Sequence, residues 1–482
     1  MWHTHSIAEL ARAMADGRLT AAGLTQHFLD RIAALNHAGP ALNAVRELDP
    51  QALAIAAQFD AERAAGRVRG PLHGLPVLLK DNIGTGDGMA CTAGSLALAT
   101  LRPRHDAGLV RRLRAAGAVI LGKCNMTEFA DYLSDVMPSE FSSAGGVVRH
   151  PHGGRYDRGG GSSVGPACAV AAGLCVAAIG SETQNSIQTP ASQSGVVGVK
   201  PTVGLVSRAG VVPLAISQDT AGPLARSVAD AAVLLTALAG VDLDDTLTLA
   251  AGPQVDPDYT RHLDPHALHG ARIGVPRQVY FGRAGHEAAE AVTEQAIATL
   301  RAAGAIVVDP ADVPTAHEVA RLRSSVFARE FKAGLEMFLA GQGEAAPVRT
   351  LADIIAFNAA HAGECLPYGQ ALAESAARTD GLDAAAYHAD RRRDIALSRE
   401  LGIDAVCRRY GLDALLTPGG AAARLTGKAG YPAVTVPAGY TDDGMPVGVS
   451  FIGPAFSDGR LLALAHAFEC ARGELAALPD GL

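Results

Sequence analysis

Cysteine offers this chain no framework. Its seven cysteines, at positions 91, 124, 168, 175, 365, 407 and 470, are odd in number, scattered and never spaced as Cys-x-x-Cys. That pattern argues against a disulfide or zinc scaffold and for reduced thiols, so a cytoplasmic location is expected. Basic excess is missing as well. The net charge of −8 and the pI near 6.0 leave no electrostatic footprint for nucleic acid. The start, Met1 to Ser6, has no basic region leading into an apolar one, so no secretory signal is expected. The longest apolar run, Ala167 to Ile179, is too short to cross a bilayer and reads as buried core. His3-Thr4-His5 and His150-Pro151-His152 lack a third ligand at a metal-binding spacing. Repeats, low-complexity tracts and clear linkers are absent too, so 1–482 reads as a single domain with a helical segment, 1–70, packed on its core.

What is present suits a large α/β fold. With 48% hydrophobic residues and 54 glycines, the chain can build a big core with many tight turns. Ser6-Ile7-Ala8-Glu9 has the spacing of a capping box before an apolar-periodic helix. Leu24, Phe28, Ile32 and Leu35 form a second helical stripe, and Ala52 to Ala65 a third helix. Leu75 to Leu79 reads as a buried strand. A helix, a glycine and a strand follow one another at Leu109 to Leu121 and again at Ala288 to Val308. Gly165 to Gly173 predicts a helix and Leu174 to Ile179 a strand. This alternation predicts a mixed, mostly buried β-sheet covered by helices on both faces. Asp242 to Asp264, rich in Asp and Pro, reads as an irregular surface connection.

Three polar residues stand in glycine-bearing contexts. Lys80 closes Gly74-Leu75-Pro76-Val77-Leu78-Leu79-Lys80-Asp81-Asn82. Ser162 follows three glycines in Gly159-Gly160-Gly161-Ser162-Ser163-Val164-Gly165, and Ser186 lies in Ser181-Glu182-Thr183-Gln184-Asn185-Ser186-Ile187-Gln188-Thr189-Pro190. Taken singly these read as a charged strand end, a flexible loop and a capped turn; a P-loop is excluded because its Gly-Lys-Ser/Thr ending is missing. Taken together they suit serine chemistry without histidine. Serine attacks a carbonyl poorly unless a base removes its proton. A lysine can act as that base only if it is neutral near pH 7, which costs about 4 to 5 kcal/mol at roughly 1.36 kcal/mol per pKa unit. Burial in an apolar strand pushes in that direction.

In these three contexts, in this order, the chain resembles the amidase-signature family with its Ser-cis-Ser-Lys triad. The segments Gly122 to Glu128, Val196 to Ser207, Ser217 to Val228 and Val447 to Phe451 read like the same signature, so the resemblance covers about residues 6 to 475. Within the family the chain is similar to bacterial peptide amidases, through Thr92 to Leu98, Val203 to Pro223 and Ile355 to Asn358 with His361. The resemblance implies hydrolysis of a linear carboxamide, a small-molecule or peptide amide, through an acyl-enzyme and without metal or cofactor. Ser186 is then the nucleophile, Ser162 the cis-serine relay (Gly161 before it easing steric crowding) and Lys80 the base. The backbone N–H groups of Thr183, Gln184, Asn185 and Ser186 form the oxyanion hole. Asp81, Asn82 and Asp219 are candidates for orienting Lys80 and the serine loops, or for structural turns. A homodimer is compatible with such an enzyme. Two other readings stay open: the glutamine-hydrolysing component of an amidotransferase complex, and a catalytically silent binding protein.

One departure lies inside the third context, where the family has Asp-Gly-Ser or Gly-Gly-Ser and this chain has Gln184-Asn185-Ser186. Asparagine tolerates left-handed backbone geometry better than most residues, so Asn185 is expected at a positive φ. Val164 replaces a frequent family glycine. Pro418 to Lys428 reads as a short Gly/Ala loop giving an open entrance for a large or extended amide. Arg424 and Lys428 there meet either solvent or an acidic or carbonyl-rich substrate. Arg391-Arg392-Arg393 reads as a solvated helix face, and Cys124 and Cys168 as small core residues.

Overall fold

The computed structural model describes residues 2–475. At the N-terminus the capping box forms as its spacing predicts. Ser6 Oγ accepts from the Glu9 N–H at 3.3 Å, and the Glu9 carboxylate accepts from the Ser6 N–H at 2.8 Å, opening the helix Ile7–Ala15. Thr20 caps the next helix, Ala21–Leu35, by accepting from the Gly23 N–H at 3.0 Å. Ile7, Leu10, Leu24, Phe28 and Ile32 are all buried, because period-3.6 spacing turns them to one side.

Thirteen strands follow in chain order: β1 (Val45–Leu48), β2 (Pro76–Lys80), β3 (Val119–Cys124), β4 (Phe141–Ser142), β5 (Gly146–Val147), β6 (Ala177–Glu182), β7 (Val197–Lys200), β8 (Thr220–Ala225), β9 (Arg272–Gly274), β10 (Ile306–Val308), β11 (Ala414–Pro418), β12 (Ala433–Tyr440) and β13 (Pro446–Ile452). Strands β4 and β5 form a separate small hairpin. The rest build one sheet in the order β1-β3-β2-β6-β8-β7-β12-β13-β11-β9-β10. It is mixed: β3, β2 and β6 run parallel, β8 through β13 pair antiparallel, and β11, β9 and β10 are parallel again. Every residue of β2, β3, β6 and β8 is buried, as expected for central strands covered by helices on both faces.

The N-terminal segment adds more than helices, since β1 pairs antiparallel with β3 and forms one edge of the sheet. Both helix-glycine-strand units are present, Gly108–Ala115 into β3 and Glu287–Ala302 into β10. The strand expected at Leu174 begins at Ala177 instead, because Leu174 to Val176 form the turn after the helix Val164–Ala171. Asp242 to Asp264 is less irregular than its composition suggests, containing the helix Leu247–Ala251 and two single helical turns.

One consequence of register matters most. Leu79 of β2 pairs with Ile179 of β6 in parallel, so Lys80 and Ser181 leave the sheet side by side at the carboxyl ends of adjacent strands. At β8 the neighbour direction reverses. A crevice outside the carboxyl ends of strands, at such a change of direction, is where open α/β sheets place ligands.

Candidate active site

Lys80 is fully buried, and its amine meets only neutral oxygens. Its Nζ lies 2.7 Å from Ser162 Oγ, 3.0 Å from the Ser181 carbonyl oxygen and 3.0 Å from Ser181 Oγ. Burial pulls its ammonium well below the ordinary lysine range, to about 7, against the opposing pull of the Glu182, Asp219 and Asp131 carboxylates. Three contacts match a neutral amine, which has two N–H donors and one lone pair. With the donors on the two Ser181 oxygens, the lone pair faces the Ser162 hydroxyl.

Ser181 is itself held in place. Asn82 Nδ2 donates to its hydroxyl at 2.9 Å, and Ser163 Oγ donates to its carbonyl at 3.0 Å. Ser162 follows a cis peptide bond from Gly161 and is fully buried. Only glycine fits at 161: a Cβ there would run into Thr127 Oγ1 and come within 3.2 Å of the Ser139 carbonyl. Ser186, 3% exposed, joins this set through the backbone, its carbonyl accepting from the Ser163 N–H at 3.1 Å.

The loop before Ser186 divides into two parts. The buried Glu182 carboxylate accepts from the N–H groups of Ile187 at 2.6 Å and Gln188 at 2.9 Å, fixing the start of the helix Gln188–Ser194. Among the described residues, no protein group accepts a hydrogen bond from the N–H of Thr183, Gln184, Asn185 or Ser186. Buried backbone donors are seldom left unbonded, and four in a row beside two serines form a ready anion receptor. Asp219 fixes this stretch from below, accepting from Thr183 Oγ1 at 2.6 Å and from the Leu214 and Ala215 N–H groups at 2.9 and 3.0 Å. Gln184 Nε2 donates to Gln218 Oε1 at 3.1 Å.

The structure therefore brings Lys80, Ser162, Asn82 and Asp219 into one connected region with the 183–186 loop. Asp81 takes its structural alternative: its carboxylate binds Arg46 at 2.8 Å and the Thr92 hydroxyl, and Lys80 is not among its partners. Ser181, Ser163 and Glu182 are partners that the sequence did not single out. All three stand inside the serine-bearing motifs, but nothing in a motif says which of several serines faces the lysine.

Several expectations need correction. Asn185 has no positive φ; its side-chain amide instead donates to the Gly159 carbonyl, tying the two serine loops together. The segment before Tyr431 contains a helix, Ala423–Ala429, rather than a plain loop. Lys428 points inward, 2% exposed, with its Nζ 2.8 Å from Asp394 Oδ1, while Arg424 stays exposed. Arg392 and Arg393 are exposed, but Arg391 is half-buried and bonds two backbone carbonyls. Cys124 and Cys168 are buried, with thiols raised by burial.

Beside the serine loops lies a cleft of about 1160 Å³. Its wall includes Gly159, Gly160, Gln184, Asn185, Thr189 and Arg424. It touches the loops that carry both serines, but not the serines themselves, and the Asn185–Gly159 contact lies along that boundary. Among the described residues no group of three or more His, Cys, Asp or Glu is arranged to hold a metal ion, and no helix is long and apolar enough to cross a membrane.

Comparison with known proteins adds a second line of observation. A family model described as Amidase matches residues 23–428 and 421–462. The native peptide amidase from Stenotrophomonas maltophilia is 46% identical, with a TM-score of 0.90 over 97% of this chain and 96% of that one. A probable amidase of Arabidopsis thaliana is 38% identical over 473 residues, 96% of this chain and 89% of that relative. A putative amidase of Arthroderma benhamiae is 43% identical over 298 residues, a match that spans 50% of its length. The amidase-fold component of the glutamyl-tRNA(Gln) amidotransferase of Thermotoga maritima matches over 97% of this chain and 95% of its own, and is 28% identical with a TM-score of 0.70. Over the full length, this chain is therefore more similar to the peptide amidase than to that amidotransferase component.

Proposed function

Because the chain belongs to the amidase family and hydrolyses carboxamides, we propose that Ser186 is its nucleophile, Ser162 its proton relay and Lys80 its base. Ser186 Oγ attacks the amide carbon, its proton passes to Ser162 Oγ, and the Ser162 proton passes to Lys80 Nζ. The π pair of the carbonyl moves to oxygen, where the N–H groups of Thr183, Gln184, Asn185 and Ser186 stabilise it. Losing one donor of such a hole typically costs about 2.7 to 4 kcal/mol of transition-state stabilisation. Collapse breaks the C–N bond, and the same relay in reverse protonates the departing nitrogen. Water then attacks the Ser186 ester under the same base and releases the acid.

The observation that carries this reading is the 2.7 Å contact between a fully buried Lys80 Nζ and Ser162 Oγ. The fall from 10.5 to about 7 corresponds to about 5 kcal/mol of differential interaction, all of it favouring the neutral base. For the substrate we propose a peptide amide. The kinship with peptide amidase supports it, and so does a cleft of about 1160 Å³, roomier than a small amide needs.

Kinetics on amides from acetamide to peptide amides, with intact-mass detection of the acyl adduct, test both parts. The expected result is a kcat/KM that rises with peptide length and an adduct that maps to Ser186. A sharp preference for acetamide or propionamide would remove the peptide amide, and an adduct on another residue would remove Ser186.

A further inference from the structure

The three arginines of the helix Ala385–Ser398 suggest a solvated face, yet one side of this helix supports the loop that carries the four N–H groups. Tyr387, Arg391 and Asp394 are spaced i, i+4, i+7 and so share that side. Arg391 sits at its centre, and its two guanidinium arms reach different segments: Nη1 donates to the Lys428 carbonyl at 3.0 Å and Nη2 to the Ser217 carbonyl at 3.2 Å.

Both segments grip Thr183 and Gln184. On one side, Ser217 leads directly into Gln218 and Asp219, which bond Gln184 Nε2 and Thr183 Oγ1. On the other, Lys428 follows Gly427, whose missing side chain lets the helix Ala423–Ala429 press on the loop. A Cβ at 427 would lie 2.5 Å from the Thr183 carbonyl and 2.9 Å from Gln184 Cα. The flanking residues brace both arms. Asp394 holds Lys428 Nζ at 2.8 Å, while Tyr387 OH donates to Glu330 Oε1 at 2.7 Å and Glu330 Oε2 accepts from the Ser217 N–H at 2.9 Å.

We infer that Arg391 is a positioning residue for the oxyanion donors: its forked guanidinium joins the two segments that fix Thr183 and Gln184 from opposite sides. The inference rests on the proposed role of residues 183–186 as the oxyanion hole. A lysine keeps the charge but not the fork, so it cannot reproduce both bonds in this geometry. Donors that drift from the oxyanion weaken binding of the transition state more than binding of the amide.

The test compares wild type with Arg391→Lys in three measurements: kcat and KM on a peptide amide, the Ki of the matching peptide aldehyde, and thermal unfolding. Addition of a serine to the aldehyde gives a hemiacetal whose oxygen occupies the hole, so its affinity reports on the donors. The expected result is a fall in kcat of about tenfold or more, KM within about twofold, and a rise in aldehyde Ki that follows the loss of kcat/KM. Unchanged aldehyde affinity, or a loss confined to KM, would overturn the positioning role. If Arg391→Lys does not fold, Arg391→Gln, which keeps one donor arm, is measured against the same criteria. Ser186→Ala run alongside separates the two readings: turnover in that variant would overturn the nucleophile assignment, whereas the aldehyde series addresses Arg391 alone.

Discussion

Lys80 and Lys428 are both buried lysines, 0% and 2% exposed, and the company each keeps gives it a different chemistry. Lys428 Nζ lies 2.8 Å from Asp394 Oδ1, an ion pair by distance rather than a well-angled hydrogen bond. Burial pulls Lys428 below the usual lysine range, while Asp394 pulls the other way. Lys80 touches two serine hydroxyls and a carbonyl, and its nearest carboxylates act only through space. A buried lysine with a carboxylate is a cross-link; one surrounded by neutral oxygens gives up its proton readily and becomes a base. Lys200 lies between these cases. Its Nζ donates to the Tyr431 carbonyl at 2.7 Å, and with Glu182 and Asp458 nearby it falls only to about 8.

Exchanging side chains at the two sites should break the comparison most visibly. At Lys80 the proton matters: Lys80→Arg substitutes a guanidinium that stays protonated. Turnover is expected to fall on the order of 10⁴-fold, as with loss of a triad member, with thermal stability little changed. Steady-state kinetics beside a melting curve check this, and retention of most of the activity would exclude a neutral base. At Lys428 the charge pair matters. Lys428→Met leaves Asp394 buried without its cation, and breaking such a pair costs about 3 to 5 kcal/mol. Chemical denaturation should show that loss, and Lys428→Met with Asp394→Asn should recover part of it. If both single variants lost only rate, or only stability, the distinction between the two lysines would fail.

The pH profile sharpens the same contrast. Lys80 is lowered from 10.5 to about 7, so below pH 7 it is protonated and the relay is blocked. Then kcat/KM should rise about tenfold per unit below pH 7 and level off above it. The sign for stability follows. Between about 7 and 10.5 only the unfolded chain still binds this proton, so the contribution of Lys80 grows more favourable as pH rises through that window. Activity that held constant from pH 5 to 8 would contradict the assignment.

The smallest expected effect is at Asn185. Because its backbone is not left-handed, Asn185→Gly and Asn185→Val should behave alike, both losing the tie to Gly159 and a few-fold to about tenfold in kcat, the range of a single hydrogen bond. A large gap between the two variants would mean that the backbone at 185, not the side chain, sets the loop.

Much of this was legible in the sequence, because the signals are local. A capping box, an apolar run ending in Lys80 and a triple glycine before Ser162 each fix structure within a few residues, and the three contexts together identify the chemistry. What was not legible depends on distant partners. Asn185 looks like a substitute for a flexible glycine, but the Gly159 carbonyl 26 residues earlier offers its amide an acceptor. Lys428 and Arg391 look like solvent-facing charges, yet each is matched by a group on another element, Asp394 for one and Ser217 for the other. Composition marks a charge but cannot say whether a partner waits for it inside.

The central claim is that Lys80 is neutral at working pH, and the chain lends itself to a direct test, since it has only five lysines, at 80, 123, 200, 332 and 428. Protein labelled with ¹⁵N and ¹³C in lysine alone can be titrated by NMR, with the Lys80 signal assigned by its disappearance in Lys80→Arg. The account predicts a Lys80 signal that titrates near pH 7, with Lys428 changing only at higher pH. A Lys80 that keeps its proton beyond pH 9 would contradict it.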